Sequence, residues 1–134
     1  MNKNIAKRLT FQDLIDKKIK LEESKIEFKE IYVNKVEGNL LFKVPKIREM
    51  LKIIDIIKEN NNSIEVTYDE FKKIIYFSCE ILHNKELQQA YEIIDPFDIV
   101  EIFIDTEQII EIGNLFMALT GVGENVNIDE EVKN

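Results

Sequence analysis

The segment KIEFKEIYVNKVEGNLLFKVPKIREMLKIIDIIK, residues 25–58, decides the fold because its hydrophobic period changes part-way along it. In its first part apolar and charged residues roughly alternate, which is typical of strands with one buried face. Glu37-Gly38-Asn39 supplies a turn between two such runs. The pattern therefore predicts a β-hairpin over residues 25–44.

The second part of this segment predicts the start of a helix. Pro45 suits the first turn, and apolar residues then recur every three or four positions. Further helices follow from the same period and from capping residues, with Thr10 and Asp13, and likewise Thr67 and Glu70, interpreted as capping boxes and Gly121 as a C-terminal stop. The expected helices cover residues 10–22, 46–58, 69–82 and 85–91, a segment opened by Asp95-Pro96, and residues 105–120.

These elements predict an α+β fold that is mostly helical, with an N-terminal helix, one β-hairpin and then a bundle of about four to five helices. A chain of 134 residues, 45% of them hydrophobic, suits a single domain with one modest core. We expect this domain to cover residues 1–121, with residues 1–9 loose. Residues 122–134 are rich in acids, asparagine and glycine and are predicted to form a disordered acidic tail.

Charge is unevenly distributed along the chain. The net charge is −8, but residues 1–66 hold 14 Lys and Arg against 11 Asp and Glu, whereas residues 67–134 hold 4 against 15. The two halves therefore carry +3 and −11. Nucleic acids and anionic membranes repel such a chain, so we expect neither as a partner. The asymmetry favours self-docking or an oriented encounter with a charged partner.

Cysteine usage and hydropathy indicate the compartment. Cys79 is the only cysteine, which excludes an internal disulfide and suits a reducing cytoplasm. The N-terminal segment lacks the apolar stretch of a secretion signal, and the longest apolar runs are far shorter than the roughly 20 residues that span a bilayer. The sequence therefore predicts a soluble cytoplasmic protein.

Candidate catalytic and metal-binding residues are few. Cys79 and His83 lie four positions apart and would share a face of a continuous helix, but two ligands do not complete a metal site. Cys79 is expected in the core, and the acids between residues 95 and 105 are interpreted as helix caps and solvated residues. The four glycines form no phosphate-binding loop. We therefore expect no enzyme activity, cofactor or metal, with a small hydrolase that uses Cys79 as an alternative.

The apolar faces of the predicted helices allow two interpretations. The isoleucine-rich faces of 46–58 and 69–82, together with Phe103 and residues 115–117, offer more apolar surface than one small core needs. One interpretation is a dense isoleucine core. The other is a groove that receives an amphipathic segment of another protein. The pattern leaves both open.

A resemblance to a known family is concentrated in the second half of the chain. It is carried by KELQQAY at 85–91, DPFDIV at 95–100, IF at 102–103 and a last helix that ends with LTG at 119–121. VPKIRE at 44–49 resembles the turn into the central helix of the same family. These features resemble the tail assembly chaperones of PBSX-like phages and of phage-derived contractile particles.

The resemblance implies a chaperone that binds the tape measure protein, a long, helical and aggregation-prone chain. In the bacterial host cytoplasm it would keep this client soluble while tail tube subunits polymerise around it, and it would be absent from the mature particle. The tape measure protein is thus the expected partner, with tail tube subunits as a second. The candidate contact residues on the apolar and acidic surface of residues 69–119 are Phe71, Phe97, Phe103 and Phe116.

Two further hypotheses concern other partners. An acidic inhibitor that imitates nucleic acid and blocks a DNA-binding protein would also suit the charge of −11 in residues 67–134. Salt distinguishes it from a chaperone, because binding through charge weakens with salt whereas apolar burial persists. Homo-oligomerisation is the other hypothesis, since an isolated hairpin is marginal in water and an edge at 25–33 or 40–44 could pair with a second chain.

Overall fold

The structure of the protein, a computed structural model, describes residues 6–122. Over this range the predicted α+β, mostly helical fold is confirmed: two short helices precede a two-stranded antiparallel hairpin, and five helices follow it. The helices are α1 (Phe11–Asp16), α2 (Lys18–Ser24), α3 (Ile47–Glu59), α4 (Ile64–Ser78), α5 (Lys85–Ala90), α6 (Ile99–Phe103) and α7 (Thr106–Thr120), and the strands are β1 (Phe28–Val33) and β2 (Gly38–Lys43). All helices between residues 6 and 122 are too short or too polar to traverse a membrane.

The hairpin forms within its predicted limits. Phe28 of β1 lies opposite Lys43 of β2, and the register continues to Val33 opposite Gly38. A short 3-10 turn joins the strands. Val33 and Phe42 are completely buried, so one face of the hairpin packs against the helices. The helices thus supply the apolar surface that a two-stranded sheet needs in water.

The start of α4 corrects the prediction of a helix over residues 69–82. The helix begins at Ile64, because the Ser63 hydroxyl accepts a hydrogen bond from the backbone N–H of Val66 (3.3 Å) and caps it. Thr67 lies inside the first two turns, where its hydroxyl donates to the Ser63 carbonyl (2.8 Å). The pattern therefore predicts the N-cap at Thr67, one turn later than the observed cap at Ser63.

The end of α4 also differs from the prediction. Its last residue is Ser78, and Glu80–His83 form a 3-10 turn. Cys79 and His83 consequently do not share one continuous helix. The turn redirects the chain into α5, which the Asn84 side chain caps.

The core lies between α4 and α7, with α3, α6 and the hairpin packed around them. Gly113 of α7 faces the Phe71 ring of α4 so closely that a Cβ built at this glycine would lie 2.2 Å from the ring. Phe42 of β2 meets Phe116 of α7 edge-on, with 6.0 Å between ring centroids. These buried residues join the sheet to the two longest helices.

The predicted N-terminal helix over 10–22 is present as two shorter helices, α1 and α2, separated by Lys17. Its predicted capping box is confirmed, because the Thr10 hydroxyl accepts from the Asp13 N–H (3.2 Å) and the Asp13 carboxylate accepts from the Thr10 N–H (2.8 Å). Neither helix buries a side chain, and Phe11 is 80% exposed. The segment therefore lies against solvent rather than in the core.

The last helix ends at the predicted residue. Gly121 has φ of 77°, the left-handed conformation in which glycine commonly ends a helix. Val122, predicted as the first residue of the tail, is instead buried in the core. The rest of the predicted tail, residues 123–134, and residues 1–5 of the predicted loose N-terminus lie outside the described residues, so their disorder stays a prediction.

Candidate protein-binding surface

The four predicted contact residues divide into two that are buried and two that reach the surface. Phe71 and Phe116 are 1% and 0% exposed and lie inside the core, so their rings do not contact a partner of the folded protein. This corrects the prediction for both, because the apolar face that a helical pattern detects is first of all the face that packs inward. Phe97 and Phe103 are both half-buried, and Phe103 packs against the edge of the core.

Phe97 belongs to a group of rings at the surface, the aromatic cluster, which consists of half-buried Tyr76 and Phe97 and exposed Phe77. All three pairs are edge to face, with centroid distances of 5.6 Å for Tyr76 and Phe77, 5.2 Å for Tyr76 and Phe97, and 5.5 Å for Phe77 and Phe97. Such pairs contribute about 0.5–1.5 kcal/mol beyond burial. Phe77 is nevertheless 60% exposed, so the cluster presents an oriented aromatic surface to solvent.

Local hydrogen bonds hold both sides of this cluster. The Asp95 carboxylate accepts a hydrogen bond from the Phe97 N–H (3.1 Å), and Pro96 begins the 3-10 turn that leads into α6. This capping pair confirms the sequence prediction. On the other side the His83 ring lies 4.4 Å from the Tyr76 ring, and its Nε2 is 2.6 Å from the Tyr76 carbonyl oxygen.

Phe103 belongs to a second feature, the apolar groove, which has a volume of about 230 Å³. It lies between the end of the hairpin and the chain from the 3-10 turn to α6, and all of its lining residues are hydrophobic. These residues are Val36, Leu40, Ile81, Leu82, Leu87 and Phe103. Tyr91 meets Phe103 edge-on with 4.9 Å between ring centroids, which extends the apolar surface beyond the groove.

A wider cleft along β2, the edge groove, connects these two features and has a volume of about 790 Å³. Its lining residues are Asn39, Leu40, Leu41, Glu80, Ile81, His83 and Asn84. Leu40 and Ile81 also line the apolar groove, and His83 contacts the aromatic cluster. The three features together form one surface, the apolar strip, which runs from Phe77 to Tyr91. Its two ends are hydrophobic, and the edge groove between them has Leu40, Leu41 and Ile81 beside four polar residues.

An ion-pair network fastens α6, and with it Phe103, to α4. The Lys72 ammonium lies 2.8 Å from the Glu101 carboxylate and 3.3 Å from that of Asp98. The Tyr68 hydroxyl donates a hydrogen bond to the same Glu101 carboxylate (3.0 Å). The hydrogen bond from Lys72 lowers the pKa of Glu101 below its ordinary value, because the ammonium group stabilises the charged carboxylate.

Cys79 and His83 lie in different surroundings, Cys79 in the core and His83 against the ring of Tyr76. Cys79 is fully buried, as predicted, and burial raises the pKa of its thiol to about 11. The His83 ring is turned toward Tyr76 instead. In the part of the chain that the structure describes, no group of three or more His, Cys, Asp or Glu residues could hold a metal ion.

The Cys79 thiol is expected to be almost inert to alkylation in the native protein. The thiolate is the reacting species, and a pKa of about 11 leaves the thiol protonated at neutral pH. Intact-mass spectrometry after iodoacetamide treatment should show slow labelling without denaturant and complete labelling in urea. Fast labelling of the native protein that also abolished an activity would instead support the hydrolase alternative.

Sequence reasoning missed the most exposed ring of the apolar strip. Phe77 lies outside the apolar stripe of α4, whose buried residues are Phe71, Ile74, Ile75 and Ser78. An aromatic residue off the stripe of an amphipathic helix is the signal that could have identified it. The exposure of Ile81, 56%, is also not predicted by the pattern, because the predicted helix continues through residues 80–83, which form a 3-10 turn.

The chain was compared with models of protein families, with curated proteins and with solved structures, and none of them matches it.

Proposed function

We propose that the protein is an assembly chaperone of a phage tail, or of a phage-derived contractile particle, that binds the tape measure protein and keeps it soluble. The resemblance of residues 85–121 to tail assembly chaperones supports the proposal. The structural observation that carries it is the apolar strip, in which Phe77, Ile81 and Tyr91 are 60%, 56% and 48% exposed. Large apolar side chains grouped on the surface of a folded domain are typical of a protein-binding site.

The strip suits an amphipathic helix as its client. Its two ends, the aromatic cluster and the apolar groove, can each receive apolar side chains that are spaced along one face of a helix. Exposed aromatic residues commonly contribute most of the binding free energy at such contacts. A long helical protein repeats such faces many times, so one chaperone surface can bind several of its segments.

Acidic residues near the strip help to keep the protein soluble, which a chaperone with exposed apolar surface needs. Glu80, Glu86, Glu92 and Asp95 are exposed, and residues 67–134 carry a net charge of −11. Charge of one sign makes copies of the chaperone repel one another and keeps a protein with exposed apolar surface in solution. The client is then bound mainly through apolar contacts.

The same charge supports the alternative function, an acidic inhibitor that imitates nucleic acid. That function requires the acidic surface and makes no use of the apolar strip. Binding through charge weakens as salt screens it, whereas binding through the strip persists. The two proposals therefore differ in their dependence on salt and on the aromatic residues.

Replacing two rings of the aromatic cluster tests the proposed client site. We expect the double variant Phe77→Ala/Phe97→Ala to bind a helical fragment of the tape measure protein about thirtyfold more weakly or worse, since two aromatic anchors at about 1–2 kcal/mol each sum to at least about 2 kcal/mol. Isothermal titration calorimetry measures the change in Kd. Circular dichroism before titration establishes that the variant is folded.

Phe28→Ala is the matched control for this experiment. Phe28 is 57% exposed, close to Phe77, but it lies on β1 and lines neither groove. Its replacement should leave the Kd unchanged. Equal affinity of the double variant and the wild type, or an equal loss in Phe28→Ala, would contradict the assignment of the client site to the apolar strip.

A further inference from the structure

The two outer edges of the hairpin differ in their contacts with the helices: a side chain of α7 bonds to the backbone of β1, whereas β2 receives no such bond within residues 6–122. The side-chain amide of Gln108, buried on α7, donates to the Tyr32 carbonyl, and its Oε1 accepts from the Asn34 N–H (3.0 Å). The outer edge of β1 is thus tied to α7 at its end next to the turn, where the Tyr32 C=O and the Asn34 N–H are satisfied. No equivalent side-chain hydrogen bond reaches the backbone of β2 within residues 6–122.

The direction of the free backbone groups of β2 follows from the hairpin register. The Val44 N–H donates to the Glu27 carbonyl (2.7 Å), which makes these two residues a hydrogen-bonded pair. Hydrogen-bonded and non-hydrogen-bonded pairs alternate along an antiparallel ladder. Asn39, Leu41 and Lys43 therefore direct their N–H and C=O groups away from β1, toward the outer edge of β2.

These groups require an extended partner. The edge groove lies beside them and is lined by Asn39 and Leu41, and the Leu41 side chain is 54% exposed. A helix uses its own backbone groups internally, so it does not satisfy a strand edge, whereas an added strand does. The sequence pattern predicts that an edge of either strand could pair, and the structure favours β2, whose outer edge lines the edge groove and has no side-chain tie of the kind that Gln108 makes to β1.

We infer that β2 pairs with β2 of a second copy of this chain in an antiparallel arrangement centred on Leu41. In this register Leu41 faces its own equivalent, and Lys43 of each copy faces Asn39 of the other. No like charges are then opposed, and each Lys43 approaches a groove that Glu80 also lines. A single two-fold axis closes the assembly and joins two hairpins into a four-stranded sheet.

This dimer has a consequence for the client site, which rests on the proposed function. The second copy occupies the edge groove, which joins the two ends of the apolar strip. Self-pairing and client binding are therefore expected to compete, with the dimer protecting the strip until a client displaces it. The dimer itself is tested without client, so its failure and that of the proposed function are distinguishable.

Leu41→Lys is the variant that tests the dimer. Sedimentation equilibrium of the full chain should give the wild type a mass twice the 15.8 kDa of one chain. Leu41→Lys should sediment as a monomer, because two lysines would face each other across the axis. Leu51→Lys, at a residue of α3 with a similar exposure of 47%, is the matched control and should remain dimeric.

A second variant and a second measurement complete the test. Leu41→Pro removes an N–H that points away from β1, so it should abolish pairing while keeping the ladder inside the hairpin. Hydrogen exchange at the Leu41 amide should be slow in the wild type and fast in Leu41→Lys. A wild type that is monomeric at all concentrations, or Leu41 variants that stay dimeric, would overturn the inference.

Discussion

Phe71→Ala is expected to lower the free energy of unfolding by about 3–5 kcal/mol, which is a large share of the stability of a small domain. The ring is 1% exposed and lies against Gly113, at the closest approach of α4 and α7. Alanine would leave a cavity at the centre of the core, and the two helices cannot close it without moving the hairpin that packs on them. Urea denaturation followed by circular dichroism measures the loss.

Phe77→Ala is the control on the same helix. Phe77 is 60% exposed and loses little beyond its two edge-to-face ring contacts, so its replacement should lower the free energy of unfolding by about 1–2 kcal/mol, well below the loss expected for Phe71→Ala. Comparison of the two variants distinguishes a ring that stabilises the fold, Phe71, from a ring that is available to a client, Phe77. The sequence pattern alone does not distinguish them. Equal stability of Phe71→Ala and the wild type would show that the described packing of α4 on α7 is incorrect.

Gln108→Ala is expected to cost about 2–4 kcal/mol, although it removes only one polar side chain. The amide satisfies the Tyr32 carbonyl and the Asn34 N–H, and each partly buried group left without a partner costs about 1–3 kcal/mol. Loss of the amide also frees the end of β1 next to the turn from α7. Urea denaturation should show the lower stability, and hydrogen exchange at the Asn34 amide should become faster.

Gln89→Ala provides the matched comparison for Gln108. Gln89 is exposed on α5, so its replacement should be nearly neutral. A small effect at both positions would mean that Gln108 does not hold the hairpin on α7. A large effect at Gln108 alone would support the conclusion that α7 holds β1 and leaves β2 without such a tie, on which the inferred dimer depends.

The sequence predicts most of the elements because their signals are local. Alternation over 25–44 depends on neighbouring residues alone, as do the Thr10 capping box and the glycine after α7. The start of α4 was misplaced because Ser63 and Thr67 are both good caps, one turn apart, and the choice between them is not fixed by pattern. In the structure the Thr67 hydroxyl donates back to the Ser63 carbonyl, so Thr67 does not act as the cap and Ser63 does.

The candidate site could be predicted only in part, for a different physical reason. Each of the four candidate phenylalanines lies at helical spacing from apolar neighbours in its own predicted segment. The exposure of each ring depends on which helix packs against it. The four are Phe71, Phe97, Phe103 and Phe116. The apolar groove brings Val36 and Leu40 of the hairpin region next to Leu87 and Phe103, which are distant in sequence. A periodicity that spans a few residues carries no information about such a contact, so the groove appears only once the chain is folded.

The most direct test of the proposed function is co-expression of this chain with the tape measure protein of the same particle, followed by co-purification at moderate and high salt. We expect the long helical client to become soluble and to remain bound at high salt, because the contact buries the apolar strip. Failure to form a complex, or loss of the complex at modest salt, would contradict the chaperone proposal and favour an acidic inhibitor.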